Sequence, residues 1–352
     1  MKIKLAILEK DQGYLNKIVT VFSTRYADKF EMYSFTDPTM ALATIENAKI
    51  DILIASALFD VDFTAIPKRC AFAYFVDSPN IDTFNDRTAI CKFQKVELIY
   101  KQILGIYSEC AENVFGLKAQ DDNVRLYAFA SPAGGVGTSS VAAACARYYV
   151  SKGSKVLYLN LEKYGSSDVF FAGEGQFDMS DIIYALKSKK ANLAMKLESC
   201  VKKDISGVCF YSSSKIALDM LELSFEDVSK LINELKLTGF FDVIILDMDF
   251  SLNPDTIKLY KQVHSLILVS DGSKSANTKI RRAYNALTVL EQSQEMPLQN
   301  KLGLIYNKFS NKTGEAITDI DMNNIGGAPK FEHATTEQVL AQLSSVNIFD
   351  KM

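Results

Sequence analysis

The chain has 352 residues, 48% of them hydrophobic, with 39 Lys and Arg against 42 Asp and Glu for a formal net charge of -3. That length and apolar content suffice for two domains with ordinary cores. The charge balance excludes a strongly basic surface as an average property, so general nucleic-acid binding is not favoured.

The chain opens directly on the strand-like run "IKLAIL" (3–8), and no apolar leader or cleavage signal is recognisable ahead of it. Further apolar runs follow at 31–35 ("EMYSF"), 51–56 ("DILIAS"), 72–76 ("FAYFV") and 88–93 ("TAICKF"). Helical patterns lie between them, one of which starts on Asp37 as N-cap with Pro38 in the first turn. A last helix is predicted over 95–114. Five strands alternating with five helices over residues 1–114 predict a flavodoxin-like domain. The stretch "GLKAQDDN" (116–123) interrupts the pattern with glycine and charge, and 115–124 reads as a linker.

Strand-like runs resume at 125–130, 155–160, 207–212, 242–247, 265–270 and 302–307, with helices filling the gaps, and 125–352 is predicted as a second parallel α/β domain. The basic stretch "KSKK" (187–190) between two of these runs reads as a solvated helix end. The first strand runs into "SPAGGVGTSS" (131–140), after which Val141, Ala144, Cys145 and Tyr148 share one helical face and Gly153 ends the helix. Strand, glycines, helix is the order in which backbone N–H groups and a helix N-terminus cradle phosphate. A glycine-rich turn with no ligand is the alternative reading of the loop alone. The lysine of an ordinary phosphate-binding loop is absent, with Thr138 in its place. Polar groups recur at the ends of later strands. Asn160 and Glu162 follow one, Asp247 ends "FFDVIILDMD" as a Mg²⁺ carboxylate, and Asn307 ends "LIYN" as an amide for a purine edge.

Residues 133–140, Ala-Gly-Gly-Val-Gly-Thr-Ser-Ser, resemble the deviant Walker A motif K-G-G-x-G-K-[ST] of the MinD/ParA family, with Ala133 and Thr138 at the two lysine positions. Joined to a receiver-like half, the chain resembles the TadZ/CpaE family of tight-adherence pilus localisation proteins. This resemblance implies ATP and Mg²⁺ as ligands, bound by Gly134, Gly135, Val136, Gly137, Thr138, Ser139 and Ser140. It implies Ser139 and Asp247 on the metal, Ser140 at the α-phosphate and Asn307 facing adenine. Glu162 matches the family's water-orienting Asp, and Asn160 matches another Asp in the same segment. It further implies a homodimer with ATP between subunits, other pilus-assembly proteins as partners, and placement at a cell pole or the inner face of the membrane.

Losing one charged hydrogen bond costs about 1.5–3 kcal/mol, a ten- to hundredfold loss of affinity, whereas a cation on a transferring phosphoryl group is worth about 10³–10⁵ in rate. Absence of both lysines therefore predicts binding with slow hydrolysis or none, and the catalytic role of Glu162 is at most that of a slow ATPase. Lys163, Lys274 and Lys279 are the cations considered as substitutes.

In the receiver-like half, Glu9 and Lys10 stand where an acidic pair belongs, Ser56 stands at the phosphoacceptor aspartate, and Lys92 is kept but followed by Phe93 rather than proline. A hydroxyl cannot serve as a carboxylate acceptor, which predicts a docking domain without phosphotransfer, or a structural cap.

Six cysteines without a C-x-x-C and two histidines far apart do not make a zinc, iron–sulfur or Ser-His-Asp site. No apolar run approaches the roughly 18 residues that span a bilayer, and the final "LAQLSSVNIFDKM" has one basic residue, Lys351, so membrane insertion or a lipid tether is not expected. A cytoplasmic, reduced protein is the resulting expectation. The alternatives are an active ParA/MinD-type ATPase that positions DNA or a membrane-associated complex, and a pseudoenzyme that binds no nucleotide.

Overall fold

The structure, a computed structural model, describes residues 2–110, 124–188, 192–294 and 298–352. The linker expected at 115–124 lies outside the described residues except for Val124, as does the end of the helix expected at 95–114. Two compact units are present, residues 1–116 with 187–200, and residues 117–186 with 201–352.

The first unit starts with β1 (Ile3–Leu8), α1 (Gln12–Arg25), β2 (Phe30–Phe35), α2 (Pro38–Ala48) and β3 (Ile52–Ser56). It continues with β4 (Ala71–Val76), β5 (Thr83–Phe84), β6 (Arg87–Cys91) and α3 (Val96–Cys110). Asp37 caps α2 as expected, its carboxylate accepting from the Met40 N–H at 2.9 Å. Strand order β2-β1-β3-β4-β6-β5 is the doubly wound flavodoxin order with one added edge strand. Leu5 and Ile7 pack on one face with Phe22 and Ile103, and Ala6 and Leu8 on the other with Ala41 and Ile45. Burial on both faces is what continuous apolar strands require.

Five helices were expected here, and the described residues of 1–110 hold three α-helices. After β3 the chain makes only a single 3₁₀ turn, Phe63–Ala65, capped by Asp62. Between β4 and β6 a hairpin replaces the helix. Asn85 (φ 47°) and Asp86 (φ 55°) are both left-handed, the requirement of a type I′ turn, and β5 folds back antiparallel on β6. A helix from later in the chain, Leu193–Cys200, belongs to this unit. Its Glu198 accepts from Lys29 Nζ (2.8 Å) and from the Tyr100 hydroxyl (2.6 Å), and Asn192 N–H donates to Ser108 O (2.8 Å). The sequence expectation ran the second domain unbroken from 125 to 352.

The second unit opens with β7 (Arg125–Ala130), α4 (Thr138–Ser151), β8 (Val156–Asn160) and α5 (Met179–Lys187). After the helix already described, now α6, come β9 (Lys202–Lys203), β10 (Cys209–Phe210), α7 (Ala217–Leu221), α8 (Phe225–Thr238) and β11 (Val243–Asp247). The chain closes with α9 (Pro254–Gln262), β12 (Ser265–Ser270), α10 (Lys274–Gln294), β13 (Leu302–Phe309), β14 (Asn323–Pro329) and α11 (Thr336–Ser345). The eight-stranded sheet has order β14-β13-β12-β7-β11-β8-β10-β9, parallel except for the short β9–β10 edge. β7 lies near the middle, between β12 and β11. Tyr127 and Phe129 pack with α4 and α11, while Leu126 and Ala128 are buried on the opposite face. Both units are therefore mostly parallel α/β sheets. Among the described residues no helix is long and apolar enough to cross a membrane.

Candidate functional site

β7 ends at Ala130 and the chain turns through the glycine loop into α4. Ser131 ties the loop's start to the neighbouring strand, its hydroxyl donating to Val269 O (2.6 Å) and accepting from Ala133 N–H (3.0 Å). Gly135 (φ 79°) and Gly137 (φ 85°) hold left-handed backbone that side chains with a Cβ rarely adopt. A Cβ on Gly137 would also lie 2.4 Å from Asn307 Nδ2. Gly137 is the N-cap of α4 and offers no side chain, so no side-chain cap satisfies the helix's first N–H groups. A Cβ on Gly134 or Gly135 would meet nothing within 4 Å. The loop thus faces open space.

That space is a cleft of about 420 Å³. Gly134, Gly135, Gly137, Thr138, Ser139 and Ser140 line it, with Glu162, Asp249, Phe250 and Lys308 opposite or beside them. Val136 is buried beneath the loop rather than in the cleft. Ala133, at the first lysine position of the motif, is 5% exposed and packs in the core.

In-register pairing of β11 with β8 sets Asp247 beside Asn160. Asp247 is wholly buried behind the cleft wall. Its Oδ2 accepts from the Tyr158 hydroxyl (2.6 Å) and from Asn160 Nδ2 (3.1 Å), while Oδ1 has no hydrogen-bond partner. Burial, followed by the charge of Glu162, pushes its carboxyl up to about 7. Asn160 also donates to Glu162 Oε2 (3.1 Å), and its Oδ1 accepts from Glu162 N–H (3.0 Å). The Ser139 hydroxyl reaches the same Glu162 oxygen at 3.4 Å. Ser139, the Asn160–Glu162 pair and Asp247, from three separate stretches of the sequence, therefore form one connected polar cluster.

This cluster suits a cation in one respect. A buried carboxylate oxygen without a donor is an uncompensated acceptor, and a divalent ion would satisfy it. Among the described residues no group of three or more Asp, Glu, His or Cys side chains could hold a metal by itself. Mg²⁺ is commonly held by one or two carboxylates with substrate phosphates supplying further oxygens, and the residues fit that arrangement.

Asn307 comes to the loop but not into the cleft. Its amide, 3% exposed, donates to Val136 O (2.8 Å) and braces the loop from its carbonyl side. None of Lys163, Lys274 and Lys279 lines the cleft. Lys308, which the sequence reading passed over, is there instead, its Nζ 2.9 Å from Gly135 O.

The receiver-like cluster is built differently. Glu9, fully buried, accepts from the N–H groups of Lys10 (2.8 Å) and Asp11 (3.1 Å) through one oxygen and meets Lys92 Nζ (3.3 Å) through the other. Lys92 also pairs with Asp77 (2.8 Å). Ser56 is buried at the end of β3.

A receiver-type unit followed by a parallel sheet with a glycine loop on its central strand defines a two-part architecture, and the comparisons agree. Residues 1–108 match the family model "TadZ-like, receiver domain". A ParA family ATPase from Chlorobium tepidum TLS superposes with TM-score 0.51 at 22% identity, over 65% of this chain and 95% of that one. A chain of the MinC:MinD cell division protein complex from Aquifex aeolicus gives TM-score 0.50 at 16% identity, over 65% of this chain and 94% of that one. No curated protein matches the chain in sequence. The chain joins a TadZ-like receiver domain to a domain of the MinD/ParA fold.

Proposed function

We propose that the second unit binds ATP with Mg²⁺ in the glycine-loop cleft and acts as a nucleotide-held scaffold in pilus assembly. The observation that carries this reading is an uncapped helix N-terminus opening onto a cleft backed by a buried carboxylate with an unpaired oxygen. The first N–H groups of α4 and of the loop backbone would donate to phosphate oxygens. Ser139 and Asp247 would hold Mg²⁺, Asp247 through water from behind the wall, and Ser140 would lie at the α-phosphate. When bound, the ion neutralises charge between the phosphates and the acidic wall. Glu162, held by Asn160 and within reach of Ser139, would orient a water in the cleft. With alanine and threonine at the two lysine positions, hydrolysis is slow or absent and the nucleotide's role is to hold two subunits together.

The TadZ-like receiver match supports the pilus setting, with the first unit serving as a docking domain that takes no phosphoryl group. Sedimentation of the full chain with Mg²⁺ and a non-hydrolysable ATP analogue tests the dimer. The monomer should convert to a dimer, and steady-state turnover should stay below about 1 s⁻¹, the lower end of kinase rates. An unchanged sedimentation profile contradicts nucleotide-held dimerisation.

A further inference from the structure

Two consecutive residues of β13 reach the same loop. In a regular strand neighbouring side chains point to opposite faces, so with Asn307 on the glycine loop the next residue should turn away. It does not. Lys308 is a non-glycine residue at φ 58°, and the pairing of β13 with β14 shifts register between Tyr306 and Phe309. The left-handed residue breaks the alternation, so Asn307 holds Val136 O while Lys308 Nζ lies on Gly135 O. Left-handed backbone is unfavourable for a residue with a Cβ such as lysine.

The site reached in this way has a shortage of positive charge. Both lysine positions of the loop are filled by Ala133 and Thr138. Glu162 and Asp249 line the cleft, and among its described lining residues Lys308 is the only cation. Its ammonium has one acceptor, is exposed, and lies about 3.6 Å from where a Cβ of Gly137 would be, beside the positive end of α4. A cation beside a helix N-terminus is repelled unless an anion lies between them.

We infer that Lys308 replaces the missing loop lysine, its ammonium leaving Gly135 O to bind the terminal phosphates of the nucleotide. This rests on the nucleotide reading above and adds the residue that reads phosphate number. The polyphosphate supplies more acceptors than one carbonyl, and the exchange requires only rotation of a flexible side chain.

Calorimetry of the full chain with Mg²⁺-ATP, Mg²⁺-ADP and AMP tests it. Lys308→Asn removes the ammonium and suits left-handed backbone, so the variant should fold at least as well as wild type, as should Lys308→Gly. Both should weaken ATP about ten- to hundredfold and AMP less than threefold. Thr138→Lys in the Lys308→Asn background should recover most of the loss. If wild type binds ATP and the folded variants bind it within twofold, or lose ATP and AMP equally, the role of Lys308 is overturned while nucleotide binding stands. If wild type binds no ATP, the nucleotide reading fails and takes this inference with it.

Discussion

Glu9 in the first unit and Asp247 in the second are equally buried carboxylates at strand ends of parallel sheets, and their partners differ. Two backbone N–H groups and the Lys92 ammonium surround Glu9, so its charge is compensated within the fold. Asp247 has two donors on one oxygen and no hydrogen-bond partner on the other, and the charge that acts on it most is the like-charged Glu162. Ser56 in one unit, and Ala133 and Thr138 in the other, stand where the sequence resemblance leads one to expect an aspartate and two lysines. The receiver-like site is satisfied by the fold's own donors. The glycine-loop site has uncapped donors and an unpaired acceptor, the state in which a bound ligand gains most.

The largest expected effect is at Gly137. Valine there would have to hold φ near 85° and would drive its Cβ into Asn307. Gly137→Val should abolish measurable Mg²⁺-ATP binding by calorimetry, a loss of more than a hundredfold.

Charge removal should act with opposite sign at the two sites. The Asp247 carboxyl lies near 7 in the folded chain against an ordinary value of 3.8. The fold therefore retains a proton that the unfolded chain releases. Stability from this group is fully present below about 3.8, falls as pH rises, and is lost by about 7. Asp247→Asn should flatten that slope and leave the nucleotide-free protein more stable at pH 8 by on the order of 3–4 kcal/mol, with the gap closing toward acid pH. It should weaken Mg²⁺-ATP in the same preparation. Urea denaturation from pH 5 to 8.5 measures the first effect and calorimetry the second; a variant that loses stability at pH 8 contradicts the account.

At the receiver-like site the change is smaller and reversed. Lys92→Ala leaves the buried Glu9 charge with its N–H donors alone and should destabilise the protein by about 2 kcal/mol. Acetyl phosphate with Mg²⁺ should add no mass to residues 1–110 of the wild type or the variant. A stoichiometric adduct there would break the contrast between the two sites.

Much of this was legible in the sequence for a physical reason. Strands covered on both faces are continuous apolar runs, so β1, β7 and β12 fall where the residues place them. β14 was missed because "NNIGGAP" (323–329) carries few apolar side chains, with Ile325 and Ala328 buried. The hairpin at Asn85 and Asp86 gave no glycine signal, as Asn and Asp supply positive φ themselves. Glycine-loop and strand-end residues could be named singly because each ends an apolar run. Their connection through Asn160 depends on strand register, and Lys308 depends on a break in alternation. Attachment of α6 to the first unit rests on contacts distant in sequence, such as Glu198 with Lys29 and Tyr100. None of these is periodic.

Whether the open site takes a nucleotide is decided by equilibrium binding of Mg²⁺-ATP to the unmodified full chain. Binding should be saturable, Mg²⁺-dependent and in the micromolar range, about 8 kcal/mol. No binding at millimolar ATP would contradict the nucleotide reading.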